Sequence, residues 1–256
     1  MALAEPCFFV VTLHPVDGPV LSPTVSPMGA IPPTLTLPFE PPPLDAPDGL
    51  DLAAVERFVD RLAAIPSTDN LFNPWATTHP DLDVPNAAEI RRHNLVRYLA
   101  SRFRARLLVV GEAAGYQGCR FSGIAFTSER QILSGLLGPG YAPSSLRPEG
   151  WSEPSATIVH KALGAHDADV VLFNILPLHP HRPAEPLTNR TPSAREVSPF
   201  VPLVAELASL LEVGQIAPVG RIAGTHLEGV ATLPPLRHPA HGGATLFSRQ
   251  ITEILS

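Results

Sequence analysis

The sequence is most constrained between Leu107 and Glu129, which reads LLVVGEAAGYQGCRFSGIAFTSE. Leu107 to Val110 form a short aliphatic run that stops at Gly111, the pattern of a strand buried in a parallel sheet. Glu112 follows at once, and Gly115, Gly118 and Gly123 punctuate a loop of mixed chemistry. Open α/β sheets bind ligands beyond the C-terminal ends of their strands, and glycine there lets backbone approach a bound group closely. The stretch therefore predicts a buried strand that delivers a carboxylate and a glycine-rich loop to a crevice.

The flanking chain supplies the rest of an α/β domain. Leu52, Val55, Phe58, Val59 and Leu62 stand at helical spacing within a helix expected over Leu50 to Ile65, and Pro66 ends it. Asn86 and Glu89 have capping-box spacing and open a helix expected over Ala87 to Arg104. Further helices are expected from Thr127 to about Leu137, Pro154 to Leu163, Thr191 to Val213 and Ala244 to Leu255. Strands are expected at Asp169 to Leu176, Ile216 to Ile222 and Gly229 to Leu233. This alternation predicts a three-layer α/β/α domain over residues 49–256, with a central, mostly parallel four-stranded sheet. The Gly/Pro-rich stretch 138–155 is expected near the mouth of the crevice, while 71–85 and 177–192 read as further loops. Residues 1–48 carry a dense series of prolines from Pro15 to Pro47. Each removes a backbone donor, so this part is expected to be an extended or partly disordered arm.

Composition excludes several classes. No apolar run reaches the roughly 18 residues that a membrane-spanning helix needs, and no basic residue precedes the apolar patch Phe8 to Val11. A cytoplasmic, membrane-free, monomeric protein is the expectation. The chain has 2 cysteines, Cys7 and Cys119, too few for a disulfide framework or a four-thiolate site. The net charge of −6 is unevenly distributed. Residues 1–100 hold 5 Lys/Arg against 12 Asp/Glu, whereas residues 101–256 hold 13 against 12. The nearly neutral part carries the motifs, and a nucleic-acid partner needs only a local basic face there.

GEAAGYQGCRFSG at 111–123, VVLFN at 170–174 and His238-Pro239 within LRHPAHGG follow one another in that order. Together they resemble three motifs of the uracil-DNA glycosylase superfamily. They are most similar to the branch whose first motif reads Gly-Glu-Ala-Pro-Gly, followed by Arg-Pro-Phe-x-Gly. The resemblance implies a monofunctional DNA repair enzyme that hydrolyses the N-glycosidic bond of uracil, or of another deaminated base, in DNA. Such a base must leave the stack before its bond can be reached. The pocket must then stack it, read its edge, stabilise charge on the leaving base and position a water. The resemblance assigns these tasks to Phe121, Asn174, His238 and Glu112 in turn. A carboxamide can donate to a carbonyl and accept from a ring N–H, which matches the uracil edge. Gly111, Ala113 and Tyr116 complete the expected base-binding set, Tyr116 as a steric gate against the thymine methyl. Arg120, Arg182, Arg190, Arg237 and His241 form the expected DNA-binding face.

The chain departs from the family pattern in three places. Ala113 aligns with the catalytic Asp of the best-known branch, which puts the rate in doubt. Ala114 replaces a Pro. The iron–sulfur cluster frequent in the branch cannot be carried over to two cysteines. No cofactor and no metal is expected. Lys161, the sole lysine, lies in a predicted helix away from the motifs, so no amine nucleophile is expected. Two other readings remain at this point. One is a catalytically weak protein that binds uracil-containing DNA. The other is a metal-dependent hydrolase in which His179, His181, His238, His241 and Glu112 meet around zinc.

Overall fold

The structure is a computed structural model that describes residues 41–256. Most of the expected N-terminal arm lies outside the described residues. Of its end, the carbonyls of Pro42 and Pro43 accept hydrogen bonds from Arg97.

Helix α1 (Leu52–Ala63) forms where the apolar spacing predicted it, with Val55, Phe58, Val59 and Leu62 buried and the Asp51 side chain capping the Ala54 N–H. A two-residue strand β1 (Leu71–Phe72) follows. Helix α2 (Ala87–Ala100) begins at Asn86, but the expected capping box is absent. The Ala87 N–H already donates to the Val84 carbonyl in a tight turn, so Asn86 has no extended backbone from which to cap. Capping boxes form instead at Ser128 with Gln131 and at Ser193 with Glu196.

Strand β2 (Leu107–Ala113) is the middle of the sheet. It is followed by the short helices α3 (Cys119–Ser122) and α4 (Glu129–Leu133), then α5 (Pro154–Leu163) and strand β3 (Val170–Leu176). Strand β4 (His179–Pro180) pairs antiparallel with β1, a ribbon hidden inside two stretches that read as loops. The helix expected over Thr191 to Val213 is broken into α6 (Ala194–Val197), a 3-10 turn at Ser198–Phe200 and α7 (Val201–Leu210). Pro199 and Pro202 cause the break, since each lacks an N–H and tolerates only a first turn. Strand β5 (Gln215–Pro218) and helices α8 (Gly220–His226) and α9 (Ala244–Leu255) complete the domain.

The parallel sheet has the order β3-β2-β5, flanked by helices in the expected three-layer arrangement. It has three strands among the described residues, where four were expected. Residues 229–233 run beside β5 without joining it. The N–H groups of Thr232 and Leu233 both go to the single carbonyl of Ile216, and Pro234 and Pro235 have no donors with which to build a ladder. The chain touches the sheet once more, at an isolated parallel bridge between Val219 and Leu236. That bridge sets down His238 two residues later. The outer edge of β3 is covered by α2 and the turn after it: the Leu172 N–H donates to the Tyr98 hydroxyl, and Arg102 donates to the Val170 carbonyl.

Candidate active site

Parallel register between β2 and β3 places Gly111 beside Asn174. Beyond these strand ends the loops enclose a cavity of about 380 Å³. Glu112 and Ala113 reach it from β2, Asn174 from β3 and Phe126 from the loop between α3 and α4. Glu153 enters at the start of α5, and His238 and His241 from the segment before α9.

Gly111 explains how two of these groups converge. A Cβ at this position would stand 2.5 Å from the Phe126 ring and 2.7 Å from Asn174 Oδ1. Only glycine leaves room for an aromatic ring and a carboxamide to meet over the strand end. Phe126 has φ of 49°, an unfavourable conformation for a bulky residue. Strain of this kind costs on the order of 1–3 kcal/mol and persists where surrounding structure imposes it. Here it holds the ring on the cavity wall. A flat apolar surface with a buried donor–acceptor pair at its edge is a slot for a planar heterocycle.

His238 Nδ1 accepts the Ala240 N–H at 3.1 Å. Burial, then the neighbouring His241 and Arg237, lower its pKa below the usual histidine value. The ring is therefore neutral near pH 7 with its proton on Nε2, a hydrogen-bond donor. Glu112 is half-buried, and burial raises its carboxyl above the ordinary value, partly offset by Arg221 on α8.

Several expected positions are corrected. Phe121 does not line the cavity. It is fully buried behind the loop, stacked on Trp151 at 5.1 Å and 9°. The aromatic wall is Phe126, five residues on. Arg120 cannot touch DNA: it is fully buried and ion-paired to Asp83 at 2.6 Å. Tyr116 packs edge-on against Trp151, and its N–H donates to Asn189. It is not among the cavity-lining residues. Gly111 acts through its missing side chain, and Ala113 lines the wall. Of the remaining basic residues, Arg182, Arg237 and His241 are exposed. Arg190 lines the cavity but is engaged with Glu196, whose carboxyl it holds down to about 2.

The zinc arrangement does not form. His179 donates through Nε2 to the Thr188 carbonyl, and His181 Nδ1 donates to the Arg182 carbonyl. Burial lowers His179 to about 3. Among the described residues no three His, Cys, Asp or Glu side chains converge to hold a metal ion. Cys119 is buried beside Asn174, and burial raises its thiol pKa.

Two lining residues carried no usable signal in the sequence. Phe126 and Phe121 are both aromatic residues in one glycine-rich loop, and only the fold separates them. Glu153 stands at the end of the 138–155 stretch, with no motif around it, and that stretch borders the cavity.

Fold and cavity together define a flanked parallel-sheet protein with its ligand crevice at the carboxyl ends of the strands. A family model of the uracil DNA glycosylase superfamily matches residues 99–250. The match covers more than half of the chain, and the protein belongs to that superfamily. Its fold is similar to the crystal structure of wild-type SMUG2 from Pedobacter heparinus, with a TM-score of 0.58 and 14% identity over 80% of this chain and 96% of that one. A search of curated proteins finds no match. Family members are DNA glycosylases, and DNA is the partner this membership implies.

Proposed function

We propose that the protein is a monofunctional DNA glycosylase that removes uracil, or another deaminated base, from DNA. The observation that carries this reading is the meeting of Phe126, Asn174, Glu112 and His238 around one cavity at the sheet's carboxyl edge. The flipped base stacks on Phe126 and presents its lactam edge to Asn174. As the glycosidic bond breaks, its electron pair passes to the base nitrogen, and charge spreads onto a carbonyl oxygen. His238 Nε2–H donates to that oxygen. Glu112 orients the water whose oxygen bonds to the sugar carbon and accepts the proton that this water loses, and its negative charge favours the cationic sugar. Arg237 and His241, exposed beside His238, are the groups placed to meet the phosphate backbone.

The test is base release from oligonucleotides carrying uracil, hypoxanthine or xanthine, read by alkaline cleavage of the abasic site. The native protein is expected to release at least one of them. Asn174→Ala is expected to lower the rate about 5- to 150-fold for each hydrogen bond lost, since each unmet bond costs about 1–3 kcal/mol. Release of none of these bases would overturn the enzymatic reading. Tight binding without release would favour the alternative of a uracil-DNA binding protein, for which Ala113 at the cavity wall is the motivating observation.

The two phenylalanines separate by assay. Phe126→Ala is expected to weaken binding of base-containing DNA about 5- to 150-fold, from stacking worth about 1–3 kcal/mol. Phe121→Ala is expected to cost about 3–5 kcal/mol of folding stability instead. Chemical denaturation and DNA binding measured on both variants check this. Equal effects of the two on both measurements would contradict the assignment.

A further inference from the structure

We propose that Glu153 is a base-reading residue: its carboxyl group meets the flipped base inside the cavity and donates a hydrogen bond to it. The proposal rests on the glycosylase reading of this cavity and adds a group that neither the motifs nor that reading assigned.

The geometry is specific. Glu153 is the N-cap residue of α5, yet its side chain does not cap the helix. It turns into the cavity against the motif loop. A Cβ on Gly118 would lie 2.0 Å from Glu153 Oε2, and one on Gly115 would lie 3.2 Å from Oε1. Two glycines of the loop thus leave room for this carboxyl. The approach to Glu153 is fixed as well. Glu129, fully buried, accepts from the N–H groups of Ser144, Ser145 and Trp151. Trp151 stacks on Phe121, so the chain two residues before Glu153 is anchored on both sides.

No described residue donates a hydrogen bond to the Glu153 carboxyl. Arg190 faces the same cavity but is paired with Glu196. Burial without a cation raises Glu153 to about 7. A carboxylic acid that holds its proton up to about 7 presents, while neutral, one donor and one acceptor side by side. Its O–H can donate to a carbonyl or ring-nitrogen acceptor that Asn174 does not engage, and uracil, hypoxanthine and xanthine all carry such an acceptor. Once ionised it is an acceptor only, and it repels the anionic leaving base.

The other titratable groups facing the cavity are Glu112, His238, His241 and the Cys119 thiol. Glu112 starts from an acidic value and His238 is lowered, so neither supplies an alkaline transition. Burial pushes Cys119 far above the range in question. On α5 itself, His160 is bonded to Asp167 and Thr127, and Lys161 is exposed. His241 is unchanged in every variant compared below, so an alkaline fall that disappears in Glu153→Gln belongs to Glu153. The sign for stability follows. The fold prefers the neutral acid, so this contribution is complete below the ordinary value of 4.5 and is lost as pH rises through about 7.

The experiment compares native protein with Glu153→Gln and Glu153→Ala in single-turnover base release across neutral pH. The same proteins are titrated with free uracil, hypoxanthine and xanthine by calorimetry on both sides of neutrality. Glutamine keeps a donor and an acceptor at every pH. The native rate is expected to fall on the alkaline side, with its midpoint near 7. Glu153→Gln is expected to retain the low-pH rate within about 3-fold and to lose the alkaline fall. Glu153→Ala is expected to be about 10- to 10²-fold slower. Ionisation of the base itself affects all three proteins alike. Equal rates and profiles in the native protein and Glu153→Ala would overturn the proposal, as would a Glu153→Gln variant that is as slow as Glu153→Ala and keeps the alkaline fall. Failure of the glycosylase reading shows separately, as native protein that releases no base. Glu153 is then judged on calorimetry alone. Native affinity for a free base that falls with rising pH, and does not fall in Glu153→Gln, supports it. Absent binding, or binding indifferent to pH and to Glu153→Ala, overturns it.

Discussion

Asp83→Ala is expected to destabilise the fold by about 3–5 kcal/mol, the usual consequence of stranding a buried charge. The effect should sit at the upper end here, because two cations depend on one carboxylate. Asp83, Arg91 and Arg120 are all buried. Arg120 reaches Asp83 at 2.6 Å and Arg91 at 3.3 Å. Even with Asp83 in place, burial lowers Arg91 to about 10 and lowers Arg120 as well. Without it both guanidinium groups lose their ion pair, and Arg91 keeps only its hydrogen bonds to Pro74, Thr77 and Ser144. Asp83 also accepts the His79 N–H, so the loop before α2 and helix α3 of the motif loop are held by one side chain. Loss of the pair should therefore loosen the cavity as well as the fold. Denaturant unfolding with unchanged m-value, read as a shift in midpoint, measures the cost. A loss below about 1 kcal/mol would mean that the pairs contribute little beyond their own desolvation.

His238→Ala is expected to lower the single-turnover rate of base release about 10²-fold or more, with DNA binding nearly unchanged. The asymmetry comes from when the interaction forms. A donor aimed at charge that develops during bond breaking stabilises the transition state more than the bound substrate. The Ala240 N–H bond to Nδ1 fixes the tautomer that leaves Nε2–H to donate. The ring's lowered pKa keeps that tautomer populated at neutral pH. The rate should fall on the acid side as Glu112 takes up a proton, at a pH above that of an ordinary carboxylate. If His238→Ala weakened DNA binding and left the bound-state rate alone, His238 would be a backbone contact and the oxyanion role would fall.

The parts of the molecule legible in sequence were those governed by local rules. Aliphatic runs gave β2 and β3, and the spacing of Val55, Phe58, Val59 and Leu62 gave α1. Glu112, Asn174 and His238 were identifiable through the motifs, and they line one cavity. What failed depends on contacts between distant segments. Arg120 looked like a surface cation because its partner Asp83 lies far away in sequence and comes from an acidic stretch. Phe121 and Phe126 share a composition and a loop, and only the close approach at Gly111 selects the second. The expected fourth strand had suitable residues, but its Thr232 and Leu233 N–H groups converge on the one carbonyl of Ile216 and build no ladder. The β1–β4 ribbon is too short to leave any alternating pattern.

The central position of β2 has a consequence for how the chain reaches this state. Leu107 pairs with Val170 on one side and with Gln215 on the other. Both partners leave the ribosome after β2, and the loops that must close before either ladder forms are long. Assembly of this kind is slow, because chain entropy is lost well before the contacts that reward it. The segment Leu107 to Val110, fully buried in the finished protein, stays uncovered longest on its β5 side. An open apolar edge is the usual starting point for association between nascent chains. The residues that centre the sheet and deliver the cavity's first strand end are thus also the ones that gain both neighbours last as the chain folds.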